Sequence, residues 1–97
     1  NIKVSKYAIW AMMKNKEPGL FIKQFKGIFK KIITMPIENE QNCMSAKDLE
    51  TIAKKNQFNV NKADNFIEAI KNITSSDKKL ISCIGSLYNV GNILNKN

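Results

Sequence analysis

The chain has 97 residues, 43% of them hydrophobic, and carries a net charge of +8 at neutral pH. This length holds one domain with a modest core, and the composition excludes an intrinsically disordered chain. No apolar run approaches the roughly 20 residues of a transmembrane helix, and no signal peptide is evident. We expect a single domain over residues 1–97, in the cytoplasm and without a membrane partner. Because the chain begins at Asn1 rather than Met, we also expect it to be cut from a longer protein.

The first half of the sequence predicts a strand, a helix and a second strand. Residues 7–13 are apolar on both faces, as in a central parallel strand. Pro18 suits the first position of a helix that ends near Gly27. Residues 28–35 predict the second strand, which Pro36 stops, and a polar loop follows.

The second half predicts two more strand–helix pairs. Ser45 is a good N-cap with Asp48 as its capping-box partner, and Asn56 is a plausible end for that helix. Residues 58–60 read as a short strand, and Asn61 is predicted to cap the next helix. The apolar face of that helix consists of Phe66, Ile67, Ile70 and Ile73.

Near the end of the chain, a short apolar run at residues 80–84 meets Gly85 and Ser86 and then an apolar pattern with helical spacing. This order predicts a buried strand that turns sharply into a helix. Backbone N–H groups left unpaired at such a turn, with the positive end of a helix dipole behind them, form an anion site. The simpler interpretation is that Gly85 merely permits a tight connection.

The alternation of strands and helices predicts an α/β fold: a three-layer, Rossmann-like domain with a mostly parallel sheet of four or slightly more strands. Ligands of such sheets bind beyond the carboxyl ends of the strands. The candidate segments are therefore residues 14–17, residues 36–42, Asn61 and the Gly85–Ser86 turn.

The cysteines and lysines narrow the classes of function. Cys43 and Cys83 lack the spacing of a zinc site, and the sequence has no histidine, so a zinc centre and a cysteine–histidine pair are excluded within the chain. We expect free thiols, with Cys83 as a small core residue.

All 16 basic residues are lysines. The absence of arginine removes its bidentate reading of guanine, and the lysines are scattered along the chain. We expect solvated surface charge and no specific nucleic acid; a lysine-based nucleic-acid binder, with steeply salt-dependent affinity, remains a third alternative.

Three segments resemble one known family in the same order along the chain. GSLYNVGNIL at residues 85–94 resembles the terminal Gly-Ser-Leu-Tyr motif of the C-terminal domain of folylpolyglutamate synthase, called dihydrofolate synthase in its bifunctional form, in the Mur ligase superfamily. AIWAMMKNKEP at residues 8–18 resembles the strand that this family follows with Asp-Lys-Asp. IITMPIENE at residues 32–40 resembles the next strand and loop.

The resemblance implies a function for the parent protein. Members of the family join glutamate to dihydropteroate or folates, consuming ATP with Mg²⁺ through an acyl phosphate. An N-terminal P-loop ATPase lobe of the same parent protein would hold the ATP, and the C-terminal lobe closes over the cleft. The resemblance implies no catalytic residue and no bound cofactor in the isolated chain. It places Ser86 and Gly85 on the glutamate side of the cleft, and Lys16, Asn15 and Asn42 on its rim.

The chain also departs from the family pattern. Nothing matches GxxxxGK[ST], and the Asp-Gly-Ala-His-Asn segment that opens the family's C-terminal lobe is absent. Asn15 and Glu17 stand where the family has aspartates, Asn42 where it has an arginine, and Ala11 where it often has glycine. We therefore expect a lobe that is incomplete relative to the family and inactive alone. The alternative is a non-catalytic relic or protein-interaction module with the same fold, for which self-association is left open.

Overall fold

The computed structural model describes residues 4–73 and 78–85. Strands and helices alternate along them: β1 (Ser5–Ala11), α1 (Pro18–Lys23), β2 (Lys31–Thr34), α2 (Ala46–Lys55), β3 (Val60–Lys62), α3 (Phe66–Asn72) and β4 (Lys79–Gly85). The strands form a four-stranded sheet in the order β3-β2-β1-β4, and every neighbouring pair is parallel. The predicted α/β fold with a parallel sheet is confirmed. Ser86 and the helix predicted after it lie outside the described residues.

The sheet has a hydrophobic core on each face, which makes the domain three-layered. On one face Trp10 packs with Ile22 of α1 and with Leu49 and Ala53 of α2. On the other face the core includes Ala69 of α3. Two crossovers step from β1 to β3 in one direction, and the third places β4 on the opposite side of β1. The strand order therefore reverses between β1 and β4, which is where doubly wound sheets bind their ligands.

Strand β1 is the centre of the domain. Its residues Ala8 to Ala11 are fully buried, so side chains on both faces of the strand lie in the core. The strand nevertheless ends at Ala11, before the predicted Met13. Met13 instead forms an isolated antiparallel bridge with Cys43, because the chain leaves the sheet there to meet the loop after β2.

Helix α2 forms as its capping residues predict. The Ser45 hydroxyl accepts a hydrogen bond from the Asp48 N–H at 3.0 Å, and Asn56 caps the C-terminus. The fully buried Thr34 donates its hydroxyl to the Ala46 carbonyl at 2.8 Å. This bond joins the end of β2 to the first turn of α2, so the helix start is held against the carboxyl edge of the sheet.

The third strand and helix begin later than the sequence predicts. Asn61 does not cap a helix, since it lies in β3 opposite Ile33. The cap is Asn65, whose side-chain oxygen accepts the Glu68 N–H at 2.8 Å. The predicted apolar face is wrong in part: Ile67 is 67% exposed, whereas Ala69 is buried. The later start changes which helical positions face the sheet.

Strand β4 is an edge strand of the described sheet and is less buried than predicted. It pairs with β1 over its full length, from Ser5 opposite Lys79 to Ala11 opposite Gly85. Leu80 is 52% exposed, and Cys83 is exposed rather than a core residue. The apolar run between residues 80 and 84 therefore indicated a strand correctly and its burial incorrectly, because β4 has one strand neighbour instead of two.

Strand β2 is also shorter than the predicted residues 28–35. Gly27 has φ of +81°, and Ile28 bonds back to Phe25, so the chain is still turning where the strand was expected. None of the helices in the described ranges is long and apolar enough to cross a membrane.

Candidate functional site

Two loops at the carboxyl edge of the sheet are bonded to each other. The Lys14 N–H donates to the Asn42 carbonyl at 2.8 Å, and the Met44 N–H donates to the Met12 carbonyl at 2.7 Å. The Met13–Cys43 bridge lies between these bonds. The loop after β1 and the loop after β2 therefore hold a defined position relative to each other at the end of the sheet.

The loop after β2 is shaped by a short internal network. The Ile37 N–H donates to the Cys43 sulfur at 3.3 Å, and the Glu40 N–H donates to the Ile37 carbonyl at 3.2 Å. Asn39 has φ of +64°, a left-handed conformation that asparagine adopts more readily than most residues. These contacts turn the chain back toward β1 and bring Asn42 beside Lys14.

A shallow depression lies over these paired loops, lined by Met13, Lys14, Asn15 and Asn42. The structure thus brings together Asn15 and Asn42, two of the residues predicted for the cleft rim. Lys16 is exposed in the same turn, its N–H bonded to the Met13 carbonyl at 3.2 Å, but it does not line the depression. Lys14 also lines the depression; the sequence placed it in the candidate segment 14–17 but did not name it among the rim residues.

The depression offers hydrogen-bond donors and one cation. The Lys14 ammonium and the two asparagine amides can donate to a carboxylate or a phosphate. Neutral asparagine amides lack the fixed fork and charge with which arginine holds such groups, so this arrangement grips an anion weakly.

Gly85, at the end of β4, lies against the end of β1. It has φ of +94°, and a Cβ atom at this position would overlap the carbonyl oxygen of Ala11 and approach Cδ1 of Trp10 to 3.0 Å. Only glycine fits this close approach of two strands. The roles predicted for Ser86 and for the backbone donors of the Gly85–Ser86 turn stay predictions, since Ser86 is not described.

Trp10 lies beneath this point. Its indole is fully buried, its ring is stacked with that of Phe21 at 6.3 Å between centroids, and its Nε1–H has no hydrogen-bond partner. A buried donor without an acceptor costs about 1–3 kcal/mol. The large ring of Trp10 therefore lies beneath the contact between the ends of β1 and β4.

Carboxylates at this edge do not form a metal centre. In residues 4–73 and 78–85, no group of three or more His, Cys, Asp and Glu side chains lies close enough together to hold a metal ion.

Comparison with solved structures gives the relationship of this fold to known proteins. A structure of Mycobacterium tuberculosis folylpolyglutamate synthase, complexed with ADP and AMPPCP, matches with a TM-score of 0.79 and 12% identity over 98% of this chain and 24% of that chain. A structure of the same enzyme complexed with ADP matches with a TM-score of 0.78 and 13% identity over 95% of this chain and 23% of that one. The fold is that of a folylpolyglutamate synthase domain.

The chain spans about a quarter of the length of the folylpolyglutamate synthase structures that it matches. No protein-family model matches the sequence, and no curated protein has significant similarity to it. At 12–13% identity the likeness to folylpolyglutamate synthase establishes the fold.

Proposed function

We propose that the chain is the C-terminal substrate- and nucleotide-cleft domain of an ATP-dependent ligase that adds glutamate to folates, and that it is inactive in isolation. The observation that carries the proposal is the match to folylpolyglutamate synthase, with a TM-score of 0.79 over 98% of the chain. The ordered resemblance of three sequence segments to that family supports it. The proposed site of action is the cytoplasm.

The proposal divides the work between two lobes. The chain has no GxxxxGK[ST] motif, so the N-terminal P-loop lobe of the parent protein would hold ATP and its Mg²⁺. ATP would supply the phosphoryl group that activates the folate carboxylate. The lobe described here would contribute donors from the other side of the cleft: Lys14, Asn15 and Asn42 at the depression, and the Gly85–Ser86 turn on the glutamate side. Lys16, exposed beside them, would lie on the rim that meets the other lobe.

Reconstitution tests the proposal. The chain is mixed with the P-loop lobe of its parent protein, and ATP-dependent addition of labelled glutamate to a folate is measured. Activity should require both lobes and ATP. A verified complex of the two lobes that transfers no glutamate would contradict the ligase function.

A serine substitution tests the assigned cleft residue. In the reconstituted enzyme, Ser86→Ala should raise the KM for glutamate several-fold, by the loss of one hydrogen bond worth about 1 kcal/mol, with little change in melting temperature. Ser82→Ala, within β4, is the matched control and should leave the KM unchanged. Equal effects of the two variants would remove Ser86 from the glutamate side.

A second function is favoured by the two asparagines that line the depression. Asn15 and Asn42 replace residues that are charged in the family, and β4 leaves a half-exposed sheet edge among the described strands. Unpaired strand edges recruit partners. A non-catalytic interaction module would bind the P-loop lobe, or a second copy of itself, without supporting glutamate transfer in the same reconstitution.

A further inference from the structure

Many of the lysines that are scattered along the sequence lie at one end of the molecule. The parallel strands all begin at this end, and three of them have lysines at or next to their first residue: Lys6 in β1, Lys30 and Lys31 at β2, and Lys78 and Lys79 at β4. No carboxylate occurs in residues 4–6, 24–31, 56–60 or 78–80, which form the same end. Glu17, Asp48, Asp64 and Glu68 lie at the opposite end, where helices begin. Lys14, Lys16, Lys47 and Lys62 also lie at that opposite end, so the two ends differ in that lysines are accompanied by carboxylates at one end and not at the other.

Helix dipoles explain some of this pattern but not all of it. Lys23, Lys54, Lys55 and Lys71 occupy last turns of helices, where a cation is favourable. Lys79, at the start of β4, also donates its ammonium to the carbonyl of Ile73, the C-cap of α3, at 3.0 Å. The exposed Lys6, Lys30 and Lys78 lie outside the last turns of the helices. They also lie on central strands as well as on the edge, so protection of a sheet edge does not account for them.

Three of these lysines lie side by side on neighbouring segments of the sheet. The Lys30 N–H donates to the Lys6 carbonyl at 2.7 Å, and the Ser5 N–H donates to the Lys78 carbonyl at 3.0 Å. Lys78, Lys6 and Lys30 are all exposed and belong to three neighbouring chain segments, spaced by about 4.8 Å per strand. They form a line of positive charge across the end of the sheet.

An exposed aliphatic residue lies two positions along the chain from each of these lysines. Val4 is 48% exposed, Ile28 is 46% exposed and Leu80 is 52% exposed. Leu80 is the register partner of Lys6, so the two side chains project from the same face of the sheet. We call Val4, Lys6, Ile28, Lys30, Lys78 and Leu80 the basic–aliphatic surface.

We propose that the basic–aliphatic surface docks the domain onto a membrane of anionic phospholipid. Its lysines lie against the phosphate and carboxylate groups of the lipid heads, and its aliphatic side chains enter the boundary between heads and acyl chains. Basic clusters combined with apolar side chains are the features by which proteins lie on anionic membranes. The surface is at the end of the molecule opposite the depression, so docking leaves the proposed cleft open.

The chemistry of the surface favours lipid over other polyanions. Proteins that hold single-stranded nucleic acid combine basic grooves with exposed aromatic rings, whereas the large exposed hydrophobic residues of the described chain are all Val, Leu or Ile. Protein–protein interfaces enrich aromatic residues and arginine and deplete lysine. Lysines interspersed with aliphatic residues fit neither pattern.

Vesicle sedimentation tests the docking. The chain is mixed with vesicles of phosphatidylcholine, with and without phosphatidylserine, at low and high salt. We expect binding to the vesicles that contain phosphatidylserine, weakened by salt. Lys6→Gln with Lys30→Gln should weaken it about tenfold or more, whereas Lys47→Gln with Lys62→Gln, at the opposite end, should not. Leu80→Ser should also weaken binding, with Ile67→Ser on α3 as the matched control. Thermal unfolding verifies that each variant is folded.

Three results would overturn the proposal. The first is no binding to phosphatidylserine vesicles at low salt. The second is an equal effect of the two double-lysine variants. The third is full competition by duplex DNA together with no effect of Leu80→Ser, which would mean attraction to any polyanion instead of docking on lipid. Each result is independent of glutamate ligase activity, which requires the other lobe.

Discussion

The backbone of Gly85 lies so close to Ala11 that no side chain fits between the ends of β4 and β1. A Cβ atom on Gly85 would overlap the Ala11 carbonyl oxygen, and φ of +94° is a conformation that other residues rarely adopt. Both constraints act at the point where the strand order of the sheet reverses. The glycine that the sequence marked as a tight turn is therefore required by packing as well as by backbone geometry.

Replacement of this glycine should destabilise the domain. Gly85→Ala must displace β4 from β1 or strain the backbone, and we expect a loss of about 2–4 kcal/mol in the free energy of unfolding. Chemical denaturation followed by circular dichroism measures it. Gly19→Ala is the control: no atom lies within 4 Å of its Cβ position in helix α1, so it should be neutral or stabilising by up to about 1 kcal/mol. Equal stability of the two variants would contradict the Gly85–Ala11 contact.

The core beneath α2 should respond strongly to a cavity. Leu49 is fully buried against Trp10 and Ile32, so Leu49→Ala should cost about 2–5 kcal/mol. Leu20 is 61% exposed on α1, and Leu20→Ala should change stability by less than about 0.5 kcal/mol. Urea denaturation of both variants compares the same substitution at a buried and an exposed site. A similar loss in both would mean that α2 does not pack as described.

Two asparagines distinguish the observed helix start from the predicted one. Asn65 caps α3 through the Glu68 N–H, so Asn65→Ala should cost about 1 kcal/mol. Asn61 is exposed in β3 and makes no cap, so Asn61→Ala should have little effect. Thermal unfolding of the two variants is the measurement. A larger loss of stability in Asn61→Ala than in Asn65→Ala would favour the helix start at Asn61 that the sequence alone predicts.

Cys83 should titrate differently in the folded and unfolded chain. Although Cys83 is exposed as a residue, partial burial of its sulfur raises the pKa of the thiol above its ordinary value, since the thiolate loses solvation. The folded thiol therefore keeps its proton at pH values where the unfolded thiol has lost it. Its contribution to stability is complete below the unfolded pKa and is lost as the pH rises through the folded pKa.

Alkylation measures this shift. In a Cys43→Ser background, the rate of Cys83 reaction with iodoacetamide should reach its midpoint at a higher pH in the native chain than in denaturant, because the thiolate is the nucleophile. Coincident midpoints would show that folding does not desolvate the sulfur. The Cys83→Ser variant should show a flatter loss of stability at alkaline pH.

Local chemistry made much of the fold predictable. Ser45 with Asp48 defined the start of α2, because capping depends on residues three positions apart in one helix turn. The continuous apolar run of β1 indicated a strand buried on both faces, since it lies between two neighbours. The run ending in Gly85 indicated the last strand, but its burial depends on how many strands lie beside it, which one strand's sequence does not encode.

The candidate site was predictable only in part. Asn15 and Asn42 each follow a predicted strand, and the parallel sheet brings them to one depression, as the carboxyl-edge rule implies. Lys14 lies in the predicted segment 14–17, but its pairing with Asn42 depends on backbone bonds between two loops, which no local pattern predicts. Lys6, Lys30 and Lys78 are likewise brought together by the order of the strands in the sheet. Their positions in the sequence are far apart, so the sequence alone indicated only scattered charge.

The buried position of Trp10 makes it an intrinsic fluorescence probe of the domain. Trp10 is the single tryptophan of the chain, and it lies between the Gly85 approach and the Phe21 ring. The wavelength of its fluorescence emission therefore reports whether water reaches the contact between β1 and β4, without an added label. A red shift on mixing with a second lobe would reveal water entering that contact, and a constant wavelength would mean that the two strands stay closed while the lobes meet.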